Sequence, residues 1–297
     1  MASELTRRVA VAALGIPFAL GIIFVGGWAL ALLLAGIAAA AAAELFRMAR
    51  QRGVRAFVLA GAFLAALPII AAAHLESPAA AAAWSWRIYI LMTLVVAALA
   101  IFRRGVDGTP LASFAVTVSG AMFTGGTLAY AVFLREMNVP VFNTDASRWV
   151  GAGLLLFPLI LTWTNDTAAY FGGRATGRHK LIPAVSPGKT VEGAIWGVAG
   201  TVVAGAVYAH FVMGAWLGIP VGILFGAVAG LIVSPVAQLG DLAESLLKRE
   251  AGVKDSGSLL PGHGGILDRF DSLFFTIPVT YWLLEIALYG RMWGMAA

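Results

Sequence analysis

The residues best suited to chemistry lie between Asp241 and Asp271. From Ser245 to Asp271 the chain reads SLLKREAGVKDSGSLLPGHGGILDRFD, with acidic and basic groups and a Gly-Gly pair set between strongly apolar segments. Charge beside a bilayer is costly, so this density marks a stretch kept for function. If a helix runs on past Pro235, then Asp241, Glu244, Ser245 and Lys248 share one face. A solvated helix end would show the same pattern. Asp268 and Asp271 stand just before a new apolar run and share a helix face, although first-turn carboxylates that complement a helix dipole look the same. Gly264 and Gly265 can present backbone N–H groups to an anion. Oxygen-only ligands suit Mg²⁺, Mn²⁺ or Ca²⁺ over zinc, and Mg²⁺ is commonly held by one or two carboxylates plus substrate phosphates. Asp241, Asp268 and Asp271, close in sequence to Lys248, Arg249 and Lys254, therefore read as a metal-phosphate site. His263 has three readings: a phosphate ligand, an acid or base, or the cap of a turn.

A second cluster lies upstream. Asn165 and Asp166 interrupt an apolar run that ends in Gly172-Gly173-Arg174. A carboxylate inside a membrane span is a functional candidate by default, and the other reading is a hydrogen bond between helices. Ser186-Pro187-Gly188-Lys189-Thr190 contains Gly-Lys-Thr but lacks the earlier glycine of a P-loop, and no preceding strand is expected. It reads as a glycine turn with a lysine at a helix start, suited to an anion. Glu285, His74 and His210 are left outside the site.

These residues must be positioned by membrane helices. The 297 residues are 60% hydrophobic and 12% charged, against roughly 25% charge in a soluble domain. The class is all-α and polytopic, a single membrane-embedded domain over 1–297, with N-terminal helices in 1–148 and motif-bearing helices in 149–297. Nine spans are expected, near 9–26, 28–46, 57–74, 86–102, 111–134, 150–171, 193–213, 219–238 and 273–290. The first reads as a retained anchor, not a cleaved signal. The first two form a hairpin about Gly26-Gly27. With the N-terminus in the cytoplasm and the C-terminus outside, sixteen of the twenty Lys and Arg residues fall in cytoplasmic segments. That places both polar clusters at the cytoplasmic face. Zero cysteines exclude disulfides, a thiol nucleophile and Cys-ligated zinc. Ala38–Ala43 reads as helix and Ala79–Ala83 as loop. Pro158, Pro235 and Pro278 lie within spans. Small-residue stripes, Gly193/Gly197 and Gly222/Gly226/Gly230, read as internal helix packing.

The run Ser245-x-x-Lys248-Arg249, Lys254-Asp255, His263-Gly264-Gly265-x-x-Asp268-Arg269-x-Asp271 resembles the signature of phosphatidate cytidylyltransferases, also called CDP-diacylglycerol synthases. The Asn165-Asp166…Gly172-Gly173-Arg174 and Ser186–Thr190 blocks resemble that family in the same order. The resemblance implies that CTP and phosphatidate give CDP-diacylglycerol and pyrophosphate. It implies a multi-helix membrane fold with Asp241, Asp268 and Asp271 as ligands of Mg²⁺, beside a second, monovalent cation such as K⁺. Lys248 and His263 join the aspartates as catalytic candidates. Asn165, Asp166, Arg174, Ser186, Lys189, Ser245, Arg249, Lys254, Asp255, Gly264, Gly265 and Arg269 are candidates for substrate binding. Expected partners are CTP, phosphatidate and the lipid bilayer of a bacterial inner membrane, with a homodimer as a family-level expectation and no nucleic-acid polymer. A phosphate nucleophile is already ionised near neutral pH, so no strong base is required and His263 fits better as a phosphate ligand. The rivals are a CTP-using lipid kinase, an archaeal-type CDP-lipid synthase and, from another class, a transporter with broken helices.

Overall fold

The computed structural model describes residues 4–75, 78–139, 147–259 and 264–290. His263 lies outside them. The chain is mostly helical: α1 Glu4–Val25, α2 Gly27–Gln51, α3 Val58–His74, α4 Pro78–Arg104, α5 Pro110–Arg135, α6 Ser147–Thr176, α7 Val191–Trp216, α8 Ile223–Ala251, α9 Leu267–Phe270 and α10 Leu273–Tyr289. Among the described residues six helical stretches are long and apolar enough to cross a membrane: α2, Trp86–Arg104 in α4, α5, α7, α8 and Leu267–Tyr289. Ala13–Val25 and Val58–His74 are shorter apolar helices. Large apolar side chains point outward, with Leu59, Phe102, Leu111 and Leu224 each more than three-quarters exposed. A surface of that kind suits lipid and not water. The helices are those of a multi-pass membrane protein.

Two departures from the sequence reading are local. Ala79–Ala83 is helical inside α4 and not a loop. Alanine is the best helix former, and Pro78 stands at the first helical position, where its missing N–H costs nothing. Between α6 and α7 the chain forms an antiparallel ribbon, β1 Lys180–Ile182 with β2 Ser186–Thr190, pairing Lys180 with Thr190 and Ile182 with Ser186. Gly188 and Lys189 therefore sit in a strand and not in a turn. Pro187 is tolerated because every strand of a two-stranded ribbon is an edge.

The helices cluster into two compact units. The first comprises Met1–Phe133 and Leu247–Phe270, the second Leu134–Leu246 and Asp271–Ala297. In the first, α1 and α2 are joined through Gly26, with φ of 67° there and 51° at Gly27, a backbone that glycine adopts without strain. Phe46 of α2 is 1% exposed and lies where Gly61 of α3 and Gly120 of α5 leave no room for a side chain. A π-helical turn at Met122–Gly126 interrupts α5, and Gly125 there lies directly against the backbone of Ala65 in α3.

In the second unit α6 and α7 pack along their length, with Gly193 of α7 against Ala169 and Gly173 of α6. Gly226 and Gly230 of α8 meet the α7 backbone at Gly205 and Thr201. The glycine stripe is thus internal packing, as expected, except at Gly222, where nothing lies within 4 Å. Tyr208 donates to the Gly153 carbonyl at 2.8 Å and stacks on Phe157 at 5.3 Å. Thr162 of α6 and Thr276 of α10 share a buried hydrogen bond of 3.0 Å.

Candidate active site

The second unit carries a pocket of about 650 Å³ built by α6, the ribbon, the start of α7 and α8. Its lining includes Asn165, Asp166, Tyr170, Arg174, Lys180, Lys189, Gln238 and Asp241. Helix α7 begins here because Thr190 caps it, accepting from the Gly193 N–H at 3.1 Å. Lys189 immediately precedes that cap, and its Nζ meets the Asp241 carboxylate at 2.6 Å. The expectation of a lysine at a helix start holds, although it arrives on a strand. Glu192 ties the start of α7 back to the ribbon: it accepts from the Arg178 and His179 N–H groups at 3.0 and 3.2 Å and meets His179 Nδ1 at 2.6 Å.

Asn165 is 2% exposed and fixed by its neighbours. Its Oδ1 accepts from Ser234 Oγ at 2.6 Å and from Gln238 Nε2 at 3.2 Å. Those two donors force its amide nitrogen to the other side, where it donates to Asp166 at 3.1 Å. The two readings of this pair, site and interhelical hydrogen bond, divide between the residues. Asn165 bridges α6 to α8, and Asp166 is exposed to the pocket. Gly240 lies against the Asp271 carbonyl and Ser272, which brings Asp241 beside Asp271. The carboxylates of Asp166, Asp241 and Asp271 are close enough to repel one another, and Lys189 offsets part of that charge. Asp271 also accepts from the Ser272 N–H at 2.5 Å. Ser245, in α8, donates to Asp241 at 3.4 Å. An all-oxygen set with surplus negative charge suits a hard divalent cation. Among the described residues no group of three or more His, Asp or Glu is already disposed around a single metal position.

The first unit holds most of the signature segment, Leu247–Phe270. Asp268 is committed on both oxygens: Lys248 Nζ donates to Oδ1 at 2.8 Å, and the N–H groups of Ser256 and Gly265 donate to Oδ2 at 2.9 and 2.8 Å. Gly264 has φ of 82°, which turns the chain so that the Gly265 N–H faces the carboxylate. The Gly265 N–H thus donates to the protein's own Asp268. Lys254 and Asp255 are exposed in the loop after α8 and make no ion pair among the described residues. Arg249 and Arg269 are exposed, Arg174 reaches Tyr170 Oη at 3.4 Å, and Ser186 pairs with Ile182 in the ribbon. The sequence reading passed over Glu44 of α2, a fully buried carboxylate that grips the signature loop, although it had a signal: a polar side chain inside an apolar span. Gln238, which precedes Asp241 after Pro235, orients Asn165.

A family model described as the cytidylyltransferase family matches residues 6–287. A phosphatidate cytidylyltransferase of Synechocystis is 32% identical over 303 residues, covering 95% of this chain and 97% of that protein. One of Brucella suis is 39% identical over 202 residues, covering 67% and 71%. One of Staphylococcus aureus is 45% identical over 141 residues, covering 46% and 51%.

Proposed function

This chain belongs to the cytidylyltransferase family and is a nucleotidyltransferase, and on that premise we propose that it transfers the cytidylyl group of CTP to phosphatidate, releasing pyrophosphate and forming CDP-diacylglycerol for phospholipid synthesis. The observation that carries the reading is the Lys189–Asp241 contact inside the pocket of the second unit. A cation and an acidic cluster side by side answer the two needs of a polyphosphate reaction. The cation neutralises phosphate oxygens, and carboxylates hold a cation that does the same.

The phosphate of phosphatidate attacks the α-phosphorus of CTP, the bond to the β-phosphate oxygen breaks, and pyrophosphate leaves with that electron pair. No proton needs to be removed from an already ionised phosphate. The chain's task is to hold two anions together and stabilise the leaving group. Lys189, with Arg174 and Lys180 around the same pocket, supplies positive charge to the triphosphate. Lys248, Arg249 and Lys254, with His263 as a phosphate ligand, serve the remaining phosphate oxygens. Asp241 and Asp271 would hold Mg²⁺, which with a second cation such as K⁺ would supply charge neutralisation across the reacting phosphates when bound, while Asp268 holds Lys248.

The nine-span arrangement with a cytoplasmic N-terminus belongs to the same reading. It sets the polar segments on the side where CTP is found, in the inner membrane of a bacterium. A homodimer is part of the family expectation. The test is product analysis with purified protein in liposomes, CTP, phosphatidate and Mg²⁺. Pyrophosphate and a CDP-lipid support the proposal; CDP and a newly phosphorylated lipid would replace it with a lipid kinase.

A further inference from the structure

Glu44 has no place in the chemistry above, yet among the described residues it is the most completely enclosed carboxylate of the first unit. It lies in α2 at 0% exposure, in an apolar stretch where Ala38, Ala41 and Ala42 are also fully buried. An apolar helix does not carry a buried carboxylate without donors to satisfy it. Among the described residues all of its donors come from the signature segment. Its Oε1 accepts from the Ile266 N–H at 3.1 Å. Its Oε2 accepts from the Leu267 N–H at 2.9 Å and from Ser256 Oγ at 2.8 Å. The loop is shaped to the carboxylate. A Cβ on Gly257 or on Gly265 would collide with the Glu44 side chain, so both ends of the loop close on it at positions with no side chain.

Ser256 and Gly265 are the same residues whose N–H groups hold Asp268 Oδ2 at 2.9 and 2.8 Å. Ser256 Oγ stands between the two carboxylates, 2.8 Å from Glu44 and 3.0 Å from Asp268. One face of the loop therefore grips Glu44 and the other grips Asp268. We propose that Glu44 is a positioning residue: through Ser256 and the backbone at 265–267 it sets the loop conformation that aims Asp268 and Lys248. Glu44 does not touch substrate. Its catalytic consequence rests on the cytidylyl-transfer reading; its hold on the loop does not.

The test compares full-length wild type, Glu44→Gln and Glu44→Ala in detergent and in liposomes. Gln keeps the shape and one acceptor oxygen but cannot accept at the second position. Hydrogen exchange of the peptide spanning 256–268 reads the anchor directly. Exchange at Ile266 and Leu267 should quicken at least tenfold in Glu44→Ala and less in Glu44→Gln, with peptides of α3 unchanged. In the CTP and phosphatidate assay, kcat should fall at least tenfold in Glu44→Gln while KM for CTP moves less than twofold. A fold defect alone would lower the amount of active enzyme without quickening exchange in this one loop. Unchanged exchange, or quickened exchange with wild-type kcat, overturns the proposal. If the wild type itself makes no CDP-lipid, the function reading falls, and the exchange result alone decides whether Glu44 anchors the loop.

Discussion

Two Lys–Asp pairs carry opposite weights. Lys189 and Asp241 are 25% and 34% exposed at the side chain, so their contact contributes at most about 1 kcal/mol to stability. Lys248 and Asp268 are 14% and 5% exposed, and removing one partner of a buried pair costs about 3–5 kcal/mol. Asp241→Asn should therefore leave the melting temperature within a few degrees of wild type while turnover falls at least a hundredfold. Asp268→Ala should lose both. Thermal melting beside turnover separates the two. Lys189→Ala and Asp241→Asn together should cost less than the sum of each alone, with a coupling of about 0.5–3 kcal/mol in a double-mutant cycle on kcat/KM. Chelation of divalent metal should abolish turnover, and added Mg²⁺ should restore it where added K⁺ alone does not. At this scale the sequence was informative because charge stands out against an apolar background. Asp166, Lys189 and Asp241 could be singled out on that contrast. Glu44 shows the same contrast but stands at the end of an alanine-rich run, far in sequence from Asp166, Lys189 and Asp241.

Helix contacts in the second unit depend on backbone approach at glycine. A side chain at Gly226 would enter the Gly205 backbone, whereas Gly222 has open space. Gly226→Leu should lower stability by about 1–3 kcal/mol, the usual cost of overpacking, and Gly222→Leu should not. Melting curves of the two variants in one detergent check this. The helical elements were legible because an apolar run near 20 residues has few other fates beside a bilayer. The ribbon was not. Lys180–Ile182 and Ser186–Thr190 are three and five residues long, too short for alternation to register, and the second contains Pro187 and Gly188. It forms because its ends are tied down: Thr190 caps α7, and Glu192 binds the backbone at Arg178 and His179.

The two compact units interleave along the chain, and Leu247–Phe270 belongs with the N-terminal helices. Ser256 is 212 residues from Glu44, and no local pattern announces a pairing at that separation. The signature could thus be read as a motif, while the helix that holds it could not. The topology has its own test, made simple because the chain has no cysteine. Single cysteines at Arg52 and Asp255 should react with a membrane-impermeant maleimide only from the cytoplasmic side, and one at Glu136 only from outside. Labelling of Arg52→Cys and Glu136→Cys from the same side would contradict the nine-span arrangement.

In the proposed reaction phosphatidate attacks the α-phosphorus of CTP. That step is tested most directly by supplying CTP labelled at the α- or the γ-phosphate to wild type and Asp241→Asn in phosphatidate liposomes. The wild type should put α-label in the lipid and γ-label in pyrophosphate, with both lost in the variant while its melting curve is preserved. Label from the γ-phosphate appearing in lipid would contradict it.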